Sequence, residues 1–64
     1  MTNLKHYREN KNLSQRQLSE QAGVNVRTLQ DYEQGRKQLG QATAATVLRI
    51  AKVLGVTVED LIKQ

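Results

Sequence analysis

Sixty-four residues allow one folding unit, expected over residues 1–64. The chain has no cysteine and no proline, so neither a disulfide nor a thiolate metal site can staple it, and its core must come from packed helices. A net charge of +4 suits a polyanionic partner, no stretch approaches the ~20 apolar residues of a membrane span, and the start of the chain lacks the apolar run of a secretory signal. The expectation is a cytoplasmic protein.

The first helix is read at about 3–11, with Leu4 and Tyr7 on one face and Lys5, Arg8, Glu9 and Lys11 polar. Asn12, which tolerates the left-handed conformation, closes it, and Leu13 returns the chain to the core. Ser14-Gln15-Arg16-Gln17 has the form of a capping box and starts a second helix at about 15–22, with Leu18 and Ala22 inward. Gly23 stops it, Val24 is expected buried in the turn, and Asn25 is a good N-cap for a third helix at about 26–34. On that helix only Leu29 and Tyr32 are apolar and inward. The other face is polar apart from Val26, as if reserved for something outside the molecule.

Arg36 to Gly40 form a basic loop with one apolar anchor, Leu39. A long helix is expected at about 41–54, with Ala44, Val47, Ile50, Ala51 and Leu54 at helical spacing. Gly55 ends it. Thr57 caps a last short helix at about 58–63, where Glu59 and Asp60 suit the positive first turn. The reading is all-α, five helices with no strand and no repeat.

The segment Leu13 to Gly35, LSQRQLSEQAGVNVRTLQDYEQG, resembles the helix-turn-helix of the phage-repressor (Cro-like, XRE) family. Leu4, Arg8 and Glu9 resemble that family's first helix. Ile50 to Val56 and Glu59-Asp60-Leu61 resemble its fourth and fifth. The chain departs from the family in a longer stretch between Gly35 and Ile50, which lacks a proline often found there, and in Ser19, where the family usually has alanine. The resemblance implies a compact five-helix bundle of the lambda-repressor-like kind, binding double-stranded DNA with its third helix in the major groove. It also implies an ion pair between Arg8 and Glu33 that joins the first and third helices.

The outward residues at the start of the third helix are Val26, Arg27, Gln30 and Asp31. Arg27 has the planar fork that donates two bonds to guanine, a contact worth about 1–3 kcal/mol of discrimination. Otherwise it pairs with Asp31 at i,i+4, worth only ~0.2–0.5 kcal/mol. Val26 suits a thymine methyl or is one more lone exposed apolar residue. Gln30 suits adenine or a phosphate, and Asp31 suits the amino group of cytosine. The resemblance makes Val26, Arg27 and Asp31 base readers and Gln15 a phosphate clamp at a helix N-terminus. Arg16, Asn25, Thr28, Arg36, Lys37 and Gln38 are the further phosphate candidates, whereas Arg49, Lys52 and Lys63 read as solvated charges.

An enzyme is not expected, because the chain has one histidine, no cysteine and no phosphate-cradling glycine loop. No cofactor is expected either, and His6 reads as a surface residue. The other class to weigh is a protein-binding module of the same fold, such as an antitoxin acting through a protein partner. A homodimer on a two-fold symmetric site, acting as a repressor in a bacterial or phage nucleoid, is the fuller expectation. Val58, Leu61 and Ile62 are its candidate dimer contact.

Overall fold

The computed structural model describes residues 3–62. Its helices are α1 (Asn3–Asn10), α2 (Gln15–Ala22), α3 (Val26–Glu33), α4 (Ala44–Leu54) and α5 (Val58–Ile62), with one 3-10 turn, Leu39–Gln41, between α3 and α4. No strand occurs among the described residues.

Local chemistry sets the boundaries. Asn12 sits at φ 57°, the positive-φ position that lets the Leu13 N–H reach back to the Arg8 carbonyl and close α1. Lys11 therefore falls just outside the helix. The capping box at α2 is complete: Ser14 Oγ accepts from the Gln17 N–H at 3.0 Å, and Gln17 Oε1 accepts from the Ser14 N–H at 2.8 Å. Gly23, at φ 67°, turns the chain, and the Val24 N–H donates to the Ser19 carbonyl across the reversal. Val24 is only half-buried against the core rather than fully enclosed. The Asn25 side-chain oxygen then caps α3, accepting from the Arg27 N–H at 2.8 Å.

Two further boundaries differ from the sequence reading. The third helix ends at Glu33, because Gly35 at φ 79° sets up a Schellman reversal: the Gly35 N–H donates to the Tyr32 carbonyl and the Arg36 N–H to that of Asp31. The fourth helix begins at Ala44, not near Gln41. Thr43 is its N-cap, with Oγ1 accepting from the Thr46 N–H, and Leu39 is drawn into the core by the 3-10 turn before it. Ala44 accordingly lies exposed at the helix start rather than on the inward face. At α5, Thr57 and Asp60 cap each other: the Thr57 hydroxyl accepts from the Asp60 N–H and the Asp60 carboxylate from the Thr57 N–H. The expected end of this helix at 63 lies outside the described residues.

One core joins all five helices. Leu4, Leu18, Leu29, Ile50 and Leu54 are its largest fully buried side chains, completed by Ala22, Leu39, Val47, Ala51 and Leu61. Each fully buried side chain of this size contributes about 1.5–3 kcal/mol relative to exposure. α2 packs on both α3 and α4, while α1 bridges α3 and α5. Ser19 is buried in α2, and its hydroxyl donates to the Arg16 carbonyl at 2.7 Å, so the polar group brings no unpaired donor inside.

Leu61 belongs to this core, which corrects its place in the expected dimer contact: it has no surface left to offer. Val58 is half-buried against the core, and Ile62 alone of the three stays well exposed, at 43%.

Candidate nucleic-acid interface

α3 is stood on edge by its inner face. Leu29 is fully buried and Tyr32 packs against the core, so the far side of the helix, with Arg27 at its centre, faces outward. Val26 is 38% exposed and Arg27 is exposed. Arg27 has Asp31 one turn below it, yet Asp31 pairs elsewhere. Its Oδ1 lies 3.3 Å from Arg36 Nη1 and its Oδ2 3.9 Å from Lys37 Nζ. The Schellman reversal at Gly35 explains this choice, because it folds both cations back over the last turn of α3.

At the base of the helix sits a buried ion pair. Glu33, with a side chain only 2% exposed, accepts from Arg8 Nε at 2.7 Å and Nη2 at 3.1 Å, and Arg8 is itself 11% exposed. The remaining Arg8 donor is also used, with Nη1 donating to the Leu13 carbonyl at 2.7 Å. Two charges out of water are tolerable only when their polar atoms are met in this way. Glu33 therefore turns away from any ligand of α3 and ties that helix to α1.

Glu33 does more than the sequence suggested. Its Oε1 also accepts from Gln15 Nε2 at 3.1 Å, and Gln15 Oε1 in turn accepts from Gln30 Nε2 at 3.3 Å. A carboxylate only accepts, so the Gln15 amide must present its nitrogen to Glu33 and its oxygen to Gln30. One relay thus runs from the interior through the start of α2 to the middle of α3. Each amide nitrogen carries two hydrogens, so Gln15 and Gln30 each keep one N–H for another acceptor. Sequence spacing held no signal for this relay, since it joins residues from separate helices.

The other candidates fall around this centre. Arg16 lies exposed in the first turn of α2, where unpaired backbone N–H groups favour an anion. Asn25 is exposed; its oxygen is committed to the cap, and its amide nitrogen remains a donor. Thr28 is half-buried on α3. Arg36, Lys37 and Gln38 are exposed in the loop beyond it. Arg49 and Lys52 are exposed on α4 instead, and the Arg49 guanidinium lies against the Gly23 turn. A groove of about 280 Å³ opens between the loop after α3 and α5, bordered by Tyr32, Lys37, Gln38 and Ile62. No grouping of His, Asp or Glu among the described residues has the arrangement to hold a metal ion.

A capped helix, a glycine turn and a second helix that is anchored within and polar without define a helix-turn-helix protein, built to lay one helix against a duplex. The family model of helix-turn-helix proteins of the XRE type matches residues 4–61, and the chain belongs to that family. It is a DNA-binding transcription regulator of the XRE type, in a family of regulators rather than enzymes. No curated protein matches the chain. None of its described helices is long and apolar enough to cross a membrane.

Proposed function

We propose that this chain is a sequence-specific repressor that reads the major groove with α3. The observation that carries the reading is the division of α3: Leu29 and the Arg8–Glu33 pair hold it from within, and Val26 and Arg27 stand free outside. An α-helix with its side chains is about 10–12 Å across, which fits the groove's ~12 Å width. Arg27 is the principal base reader, forking onto guanine, and Val26 meets a thymine methyl. Gln30 and Asp31 are the further base readers, each held by a neighbour until DNA arrives. Gln15 and Arg16 take one phosphate run at the start of α2, with Asn25 and Thr28 beside them; Arg36, Lys37 and Gln38 take a second beyond α3.

One such helix spans only a few base pairs, so two copies on a two-fold site with half-sites ~34 Å apart give a usable recognition length. Ile62, on the rim of the groove beside α5, and Val58, half-buried on the same helix, are the contact proposed between them. Sedimentation on a selected duplex measures this directly, and a single copy per site would exclude it. The setting is the bacterial cytoplasm, on nucleoid or phage DNA, where occupancy of a promoter blocks transcription.

Selection of bound sequences from a random duplex pool tests the reading. The wild-type chain is expected to enrich a defined site with guanine under Arg27, and Arg27→Ala to lose about 1–3 kcal/mol of preference while keeping non-specific affinity. An equal loss on every sequence would remove Arg27 from base reading. Affinity that ignores salt, instead of falling with a log–log slope near −0.9 per phosphate, would favour an apolar protein partner over DNA.

A further inference from the structure

Asp31 stands on the outer face of α3, in the region proposed to meet DNA, and it is an acid. Its carboxylate is 18% exposed and engages the two loop cations, Arg36 through Oδ1 and Lys37 through Oδ2. Its main-chain carbonyl accepts from the backbone N–H groups of the same two residues, at 2.9 Å and 3.3 Å. One residue thus holds Arg36 and Lys37 twice, by main chain and by charge. The main-chain bonds fix where the loop runs, and the carboxylate decides where the cationic tips spend their time.

We propose that Asp31 is a discriminator against non-cognate DNA, an internal competitor that holds Arg36 and Lys37 until a favourable sequence lies beneath it. This inference rests on the reading of α3 as the helix that meets DNA and of the two loop cations as phosphate contacts. On a duplex, phosphate competes with Asp31 for Arg36 and Lys37, and taking them would leave Asp31 as a partly enclosed anion near other anions. That arrangement is disfavoured unless a new donor meets the carboxylate. The cytosine amino group is the donor that the major groove offers to an acid. Where cytosine lies under Asp31 the exchange is complete, with cations on phosphate and carboxylate on base. Elsewhere Arg36 and Lys37 stay on Asp31, and the phosphates go without them.

Asp31→Asn tests this, because it removes the charge and preserves both shape and the main-chain bonds that set the loop. Wild type and variant are titrated with a random-sequence duplex and with a site selected by the wild type, across a range of salt. On the random duplex the variant is expected to bind on the order of tenfold more tightly at low salt, with a log–log slope steeper by ~0.9 for each cation released. On the selected site the gain is smaller, so the preference for that site falls. The same substitution is then made in an Arg36→Gln/Lys37→Gln background, where the gain and the steepening are expected to vanish.

An unchanged slope on the random duplex would overturn the proposal, as would an equal gain on both duplexes. A gain that persists without the two cations would also overturn it, since the acid would then be acting on phosphate directly. Wild-type protein that binds neither duplex at low salt would instead strike the DNA-binding reading itself, so the two failures stay separate. Should Asp31→Asn melt early, the Arg36→Gln/Lys37→Gln protein with Asp31 intact gives the same answer: it must lose less salt dependence than two free cations would supply.

Discussion

Glu33→Gln is the substitution whose cost follows most directly from the geometry. It keeps the shape of the side chain but replaces a two-oxygen acceptor by one oxygen and an amide. Arg8 Nε, Arg8 Nη2 and Gln15 Nε2 all donate to that carboxylate, and the new amide can accept from only part of this set. Arg8 stays charged, remains nine-tenths covered, and retains only the Leu13 carbonyl as an undisturbed partner. Removing one member of a buried pair costs about 3–5 kcal/mol. A chain of this length has a total stability on the order of 3–10 kcal/mol, so Glu33→Gln takes a large part of it. At about 4–8 °C per kcal/mol, the melting temperature should fall by more than about 12 °C.

Thermal and urea melts followed by far-ultraviolet circular dichroism measure the loss. The companion variant, Arg8→Met with Glu33→Leu, removes both charges together and should stay within ~1–2 kcal/mol of wild type. If Glu33→Gln melts within ~1 kcal/mol of wild type, or the double variant falls as far as the single one, the reasoning from an orphaned buried charge is wrong.

Two further outcomes are expected. Gly23→Ala places a Cβ at φ 67° and should cost about 1–2 kcal/mol from backbone strain rather than from crowding, because the nearest atom, Arg49 Nη1, lies at an ordinary 3.7 Å; a thermal melt matching wild type would contradict it. Gln15→Ala should weaken binding about three- to tenfold on cognate and random duplexes alike, with the salt slope unchanged since no charge is lost. A loss confined to the selected site would assign Gln15 to base reading instead.

What the sequence made legible was local. Ser14 with Gln17, Asn25, Gly23 and Gly55 each act within a few residues of themselves, and their chemistry placed both ends of α2, the start of α3 and the end of α4 with little help from packing. The start of α4 was misjudged because apolar spacing extends a helix smoothly backwards, whereas the Thr43 hydroxyl and the burial of Leu39 stop it three residues later. The amide relay from Glu33 through Gln15 to Gln30 was out of reach, since it exists only once α2 crosses α3 at a particular angle. The pairing of Asp31 was hidden for a related reason. Helical spacing offered Arg27 as its partner, and only the reversal at Gly35 carries Arg36 and Lys37 back within range.

The relay and the loop clamp divide the outer face of α3 into two kinds of position. The side chains of Val26 and Arg27 make no hydrogen bond or ion pair with the rest of the described chain, so exchanging them breaks no polar contact of the scaffold. Residues 30 and 31 are engaged with Gln15 and with the loop cations, and altering them would, on the proposed reading, disturb how the protein grips the sugar–phosphate rails. A lineage seeking a new target site would therefore drift first at the free pair, and would keep the other two as the settings that govern how firmly it holds whatever it finds.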